Sequence, residues 1–124
     1  MSRIDHIGIA TEDIEQASKF WKLIGMKPGD DEINLEQDVK IRMFYGNNEN
    51  GENTHSKVEL IEALSENSPI AKFISKRGEG IQQLAISVVD IDELIKNLIE
   101  KGVRMINKKS MEGAGGHKIA FVHP

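Results

Sequence analysis

Apolar and polar positions change period several times along the chain, and each change marks an element. Residues 4–10 form an apolar run that reads as a buried strand, with His6 as its ionisable interior residue. Asp13 follows as an N-cap, and Gln16 three residues on completes a capping-box pattern. Ile14, Ala17, Phe20, Trp21 and Ile24 then recur at helical spacing, predicting one apolar face that ends at Gly25. Residues 26–33 and 39–45 read as strands, and residues 58–62 as a short one. Between them, residues 46–57 hold four Asn and two Gly and read as an exposed loop. Pro69 opens a short helix to about Lys76, closed by Gly78 and Gly80.

The same order then recurs. Residues 81–89 read as a strand, Asp90 as an N-cap with Glu93 three residues later, and Ile91, Leu94, Ile95, Leu98 and Ile99 as an apolar stripe ending at Gly102. Residues 103–106 and 117–122 read as strands flanking a glycine-rich turn at 113–116. A shift of 77 residues carries His6 onto Gln83, Ile7 onto Leu84, Ile9 onto Ile86, Asp13 onto Asp90, Ile14 onto Ile91 and Gly25 onto Gly102. The expected fold is therefore α+β. Two βαβββ modules, residues 1–66 and 67–124, would share one domain and one curved mixed sheet. The second module lacks its fourth strand, so the natural chain is expected to continue past Pro124.

Composition narrows the function. The chain of 124 residues is long enough for one domain with its own core. It has no cysteine, which excludes a disulfide scaffold, thiolate metal ligands and a cysteine nucleophile. Its formal net charge of −4 gives no global basic field, so neither nucleic acid nor an anionic membrane is an expected partner. No run of about 18 apolar residues occurs, and the first residues carry no signal-peptide core. A cytoplasmic protein is expected.

The candidate chemistry lies on three strands. His6 shares a strand face with Gly8 and Ala10, whose small size leaves room beside the imidazole. By the repeat, Gln83 occupies the same place in the second half, and first strands lying side by side would aim both into one cleft. Glu59 sits inside an apolar strand, where a carboxylate must be exposed, paired or bound to a metal. A hydrogen-bonded core role fits His6 and Gln83 as well as a ligand role does. His55 reads as solvated, and His117 and His123 as structural. The loop at 113–116 matches no nucleotide-binding motif.

Several segments, in order, resemble methylmalonyl-CoA epimerases of the vicinal oxygen chelate superfamily, which includes the glyoxalase and bleomycin-resistance proteins. They are Ile4-Asp5-His6-Ile7-Gly8-Ile9-Ala10, Glu36-Gln37, Val58-Glu59-Leu60, Ser68-Pro69-Ile70-Ala71-Lys72-Phe73 and Arg77-Gly78-Glu79-Gly80-Ile81. The stretch from Gly113 through Gly116-His117-Lys118-Ile119-Ala120-Phe121-Val122 to His123-Pro124 is similar too. The resemblance implies paired βαβββ modules, a divalent metal ion (Co, Mn, Zn or Ni) and inversion of the carbon between a carboxylate and a coenzyme A thioester. It places metal ligands at His6, Glu59 and Gln83, with Gln82-Gln83 standing where the family usually shows His-His. The family's catalytic glutamate belongs to a last strand that would follow His123-Pro124. Ile41 and Arg42 stand where some members carry a second glutamate. Coenzyme A is polyanionic, so Lys108, Lys109 and Lys118, together with Arg104, are candidates for its phosphates. A homodimer is expected, since paired short modules leave sheet edges to cover. A glyoxalase I-like metal-dependent isomerase and a non-catalytic small-ligand-binding module remain alternatives, because one fold hosts many chemistries.

Overall fold

The computed structural model describes residues 2–123 and, at Ala114, the backbone. The described residues divide into a larger compact unit of residues 3–87 and a smaller one of residues 88–123 with residue 2. The larger unit runs β1 (Ser2–Ala10), α1 (Ile14–Leu23), β2 (Lys27–Asn34), β3 (Val39–Asn47), β4 (Asn53–Ala63), α2 (Pro69–Arg77) and β5 (Gly80–Val88). These strands form one sheet in the order β2-β3-β4-β1-β5. β1 runs parallel to β4, whereas β2 with β3 and β3 with β4 are antiparallel. The first module is thus the βαβββ unit that the sequence predicts. β5, the strand expected to begin the second module, lies beside β1.

Register divides the side chains between two faces. Ile7 pairs with Val58, Gly8 with Glu59, Ile9 with Leu60 and Ala10 with Ile61. One face carries Ile9, Val58, Leu60 and Phe44, which pack with Ile14, Ala17, Trp21 and Met26 into the core beneath α1. Asp13 caps α1 by accepting from the Gln16 amide at 3.2 Å, and Glu62 accepts from the Ile14 amide at 2.9 Å. The buried stripe of α1 is narrower than predicted. Phe20 and Ile24 are exposed, and only Ile14, Ala17 and Trp21 of the stripe pack into the core. Ser18 is buried in their stead, donating to the Ile14 carbonyl at 2.6 Å.

Ser18 also receives one arm of Arg42, a buried cation on the same sheet face. Arg42 Nη1 donates to Ser18 Oγ at 3.0 Å, Nε and Nη2 clamp Asp31 at 2.6 and 2.8 Å, and Nη2 reaches Glu15 at 2.6 Å. Hydrogen bonds from Arg42 hold the Asp31 and Glu15 carboxyls below the usual carboxylate range. Arg42→Met should cost about 2 kcal/mol in urea unfolding, the range for hydrogen bonds to charged groups. Both carboxyl values are depressed in the folded state, so the stabilisation is present above the ordinary carboxylate range and is lost as pH falls below it. The stability gap between wild type and Arg42→Met should therefore close in acid. A gap that stays constant to about pH 2 would refute the assignment.

The loop predicted at 46–57 is shorter than the sequence suggests. β3 runs through Asn47 and β4 begins at Asn53, with Tyr45 opposite Lys57 and Asn47 opposite Asn53. The turn is tied by Asn48 Oδ1, which accepts from the amides of Asn50 and Glu52 at 2.9 and 3.0 Å. Polar side chains on this exposed hairpin hide its strand period. Ser68 caps α2 by accepting from the Ile70 amide, and Gly78, at φ 77°, closes it in a conformation that suits glycine.

In the smaller unit, Asp90 caps α3 (Ile91–Glu100), and Ile95 is its buried residue. β6 (Met111–Glu112) and β7 (Lys118–Ile119) form a short antiparallel hairpin around a turn at 114–116. The strands expected at 103–106 and 117–122 reduce to one bridge between Met105 and Val122 and to β7. The Ile106 amide donates to the Phe121 carbonyl, but the Phe121 amide turns to the Asn107 side chain and leaves the ladder. No described helix is long and apolar enough to cross a membrane.

Candidate active site

The sheet face opposite the helix-covered core gathers the candidate residues from three adjacent strands. His6 comes from β1, Glu59 from β4 and Gln83 from β5. His6 Nε2 lies 3.6 Å from Glu59 Oε2, and Gln83 Nε2 lies 3.4 Å from Glu59 Oε1. Gly8, paired with Glu59, explains how they fit. A Cβ at position 8 would collide with Gln83 Cγ, so only glycine lets the amide cross β1 toward the carboxylate.

Glu59 is 5% exposed. Burial pushes its carboxyl up; Glu32 and Asp5 add to the rise, while His6 and Lys57 oppose it. The other imidazole nitrogen is held from outside the site, with His6 Nδ1 2.9 Å from Asp5 Oδ2. Lys57 Nζ steadies Asp5 at 3.1 Å. Burial would raise the Asp5 carboxyl, but the hydrogen bonds from His6 and Lys57 prevail and hold it low. An ionised carboxylate only accepts, so Asp5 holds a proton on His6 Nδ1 and leaves Nε2 turned toward Glu59 Oε2. Two such donors face each other comfortably only with a proton or a cation between them.

That arrangement fits a cation: imidazole nitrogen, carboxylate and amide oxygen are all metal donors, and a carboxylate behind the histidine is a common support. Gln83 would present Oε1 after rotation of its amide, whose two ends are nearly isosteric. Among the described residues, no group of three or more His, Cys, Asp or Glu side chains is placed to hold a metal ion. The third donor here is an amide, and a neutral one. Its neighbour Gln82 alternates to the other face of β5, with a buried Oε1 that meets no hydrogen-bond donor.

The rest of the face is apolar beside the site. Ile41 pairs with Ile61 and Met43 with Glu59, so Ile41, Met43 and Ile61 form a floor next to the carboxylate. Glu32 is opposite Ile41 across the β2–β3 pair. Arg42 belongs to the other face, away from this floor. Sequence reading misses Asp5 as the orienter of His6, although its adjacency to His6 is a signal. The lysines predicted for phosphate contacts lie in the smaller unit. Lys108 and Lys109 are exposed, as is Arg104, and Lys118 Nζ sits 3.2 Å from Asp92. His55 and His117 are exposed.

The mixed sheet, with His6, Glu59 and Gln83 gathered on one face, is a basis for comparison with known folds. The chain matches the Glyoxalase/Bleomycin resistance protein/Dioxygenase superfamily over residues 5–121 and belongs to it. It is 34% identical over 125 residues to the uncharacterized protein YqjC of Bacillus subtilis, a match covering all of this chain and 84% of the relative. A hypothetical protein of Bacillus halodurans superposes with a TM-score of 0.90 at 44% identity, covering 99% of this chain and 85% of the other. Streptomyces coelicolor methylmalonyl-CoA epimerase in complex with 2-nitronate-propionyl-CoA superposes with a TM-score of 0.88 at 34% identity, covering 98% and 85%. Methylmalonyl-CoA epimerases thus stand among both its sequence relatives and its structural neighbours.

Proposed function

We propose that this protein is a methylmalonyl-CoA epimerase, inverting the carbon between a carboxylate and a coenzyme A thioester at a divalent cation held by His6, Glu59 and Gln83. The observation that carries the reading is the convergence of the His6 imidazole, the Glu59 carboxylate and the Gln83 amide over Gly8, beside an apolar floor. The likeness to epimerases over nearly the whole chain supports the substrate class.

A bound divalent cation would supply Lewis-acid stabilisation of the enolate. This chain's own residues do the rest. Asp5 keeps the His6 proton on Nδ1, so that Nε2 is free to donate its lone pair. Glu59 supplies the one negative charge of the donor set, and Gln83 adds a neutral oxygen. Ile41, Met43 and Ile61 exclude water from beside the thioester and strengthen each electrostatic contact there. Lys108, Lys109 and Lys118 are assigned to the phosphates of coenzyme A, where exposed cations gain from charge-assisted contacts. We place the enzyme in the cytoplasm as a homodimer. The exposed Leu84 and Ile86, on one face of β5, support an apolar surface that a second copy covers.

The test is deuterium uptake from solvent at the α-carbon of methylmalonyl-CoA, followed with and without added divalent cation. Cation-dependent uptake together with loss of optical purity is expected. Thioester binding without uptake would favour a non-catalytic ligand-binding module of the same fold. Isomerisation of a glutathione hemithioacetal in place of uptake would favour a glyoxalase I-like enzyme.

A further inference from the structure

Of the three strands that carry the proposed donors, β5 is the least secured. It ends the described sheet, so β1 is its only strand partner among the described residues. Burial does not fix its register within one chain, since Ile81, Leu84 and Ile86 are exposed. Donor chemistry does not fix it either. Gln82 stands next to Gln83, and a slip of one residue would turn Gln83 to the other face and bring Gln82 over Gly8 with the same amide. Gln82 is even penalised in the observed register, where its Oε1 is buried without a donor.

A contact at the start of β5 singles out one register. Glu79 lies between Gly78 and Gly80, at φ 77° and 152°, where the chain turns out of α2 and into β5. Its Oε1 accepts from the Glu12 amide at 2.7 Å and from the Thr11 hydroxyl at 3.1 Å, just past the end of β1. Thr11 is itself a fixed point. It is buried, its amide donates to the Ile61 carbonyl of β4 at 2.9 Å, and its hydroxyl oxygen accepts from the Asp13 amide at 3.2 Å. Glu12 is four residues beyond Gly8, and Glu79 is four before Gln83. The contacts of Glu79 with Glu12 and of Gln83 with Gly8 therefore belong to one register, stepping in opposite directions along β1 and β5. A slip of one residue would carry Glu79 about 3.4 Å along β1, too far to hold either hydrogen bond.

We infer that Glu79 is a positioning residue, a register lock that seats Gln83 rather than Gln82 beside His6 and Glu59. What Gln83 does there rests on the proposed cation site, whereas the lock itself is a property of the cation-free protein. Glu79 acts on the site through the strand, four residues from the amide that it places. Hydrogen bonds to a carboxylate are stronger than neutral ones, so two of them suffice to favour one register where burial is indifferent. The glycines on either side let the carboxylate reach β1, and they leave the junction free to move once that contact is lost.

The experiment records nuclear Overhauser contacts between β1 and β5 in the cation-free protein, and Zn affinity by calorimetric titration, for wild type, Glu79→Ala, Glu79→Gln and Thr11→Val. Wild type should show Gly8 against Gln83 alone. Glu79→Ala should add a second set of cross-peaks, Gly8 against Gln82. It should also lose about tenfold in Zn affinity, the low end for residues that support a metal site, since Gln82 replaces part of the missing donor. Gln82→Ala should bind Zn within about threefold of wild type, yet weaken binding further when combined with Glu79→Ala, the non-additivity expected of coupled sites. Glu79→Gln keeps an oxygen acceptor and should restore the single set. Thr11→Val removes one of the two contacts from the other strand and should show the second set more weakly, which tests the lock even where Glu79→Ala fails to fold. A single Gly8–Gln83 set in both folded variants overturns the lock. So does an equal slip in Glu79→Gln, which would trace the effect to charge. A second set in Glu79→Ala together with a wild type that takes up no Zn upholds the lock and overturns the cation reading alone.

Discussion

His6→Ala should lose divalent-cation uptake by more than about 100-fold, and epimerisation with it, in calorimetric titration with Co or Zn. The imidazole is one of the three proposed donors, and the remaining amide is neutral, so Glu59 would be left as the one charged donor. A graded companion is Asp5→Asn. It leaves every proposed donor in place but exchanges an acceptor-only carboxylate for an amide that can also donate and so no longer fixes the His6 tautomer, and losses of about 10–100-fold in affinity are usual for such supporting partners. His55→Ala should bind as wild type, since His55 lies exposed on β4 outside the cluster. Full-strength uptake by His6→Ala would remove the site from this face of the sheet.

Glu59→Gln should have opposite effects on binding and on stability. It deletes the single anionic donor, so uptake should fall by at least as much as for His6→Ala. In the cation-free protein, however, the variant should melt higher, by roughly 5 °C if the gain is near 1 kcal/mol. A buried carboxyl whose folded pKa lies above its unfolded value costs stability while ionised. That cost is present at neutral pH and lifts as pH falls through the raised value. Cation-free wild type should accordingly gain on the variant in mild acid, opposite in sign to the Arg42 network. Differential scanning calorimetry at about pH 7 and near pH 5 checks both signs. A variant that melts lower than wild type at neutral pH would show that Glu59 is stabilising as it stands.

The frame of this fold is legible because its signals are local. Asp13 and Asp90 cap helices, Gly25 and Gly102 end them, and the 77-residue shift between His6 and Gln83 sets β1 beside β5. The resemblance to the epimerases adds Glu59, which periodicity leaves ambiguous. What stays hidden depends on register. Nothing in Gly29-Asp30-Asp31-Glu32 announces the shift of register between β2 and β3 there, so the chain alone does not say which acidic residue faces which way. Arg42 stands out in the sequence only as the absence of a glutamate, because its partners Glu15, Ser18 and Asp31 lie on two other elements. The polar ends of β3 and β4 resemble loop because both faces of that hairpin are wet. Phe20 and Ile24 keep helical period without a surface to cover.

The parallel pairing of β1 with β4 has a consequence for how the protein is made. His6 and Glu59 meet only after α1, β2 and β3 have been laid between them. Closing so long a loop is entropically costly and comes late in folding, whereas α1 and the β3–β4 hairpin form from near neighbours. On the ribosome, a chain whose β4 has not yet emerged carries the imidazole without the carboxylate. Capture of the proposed cation therefore cannot template the early steps of folding. Uptake of the proposed cation would follow their completion.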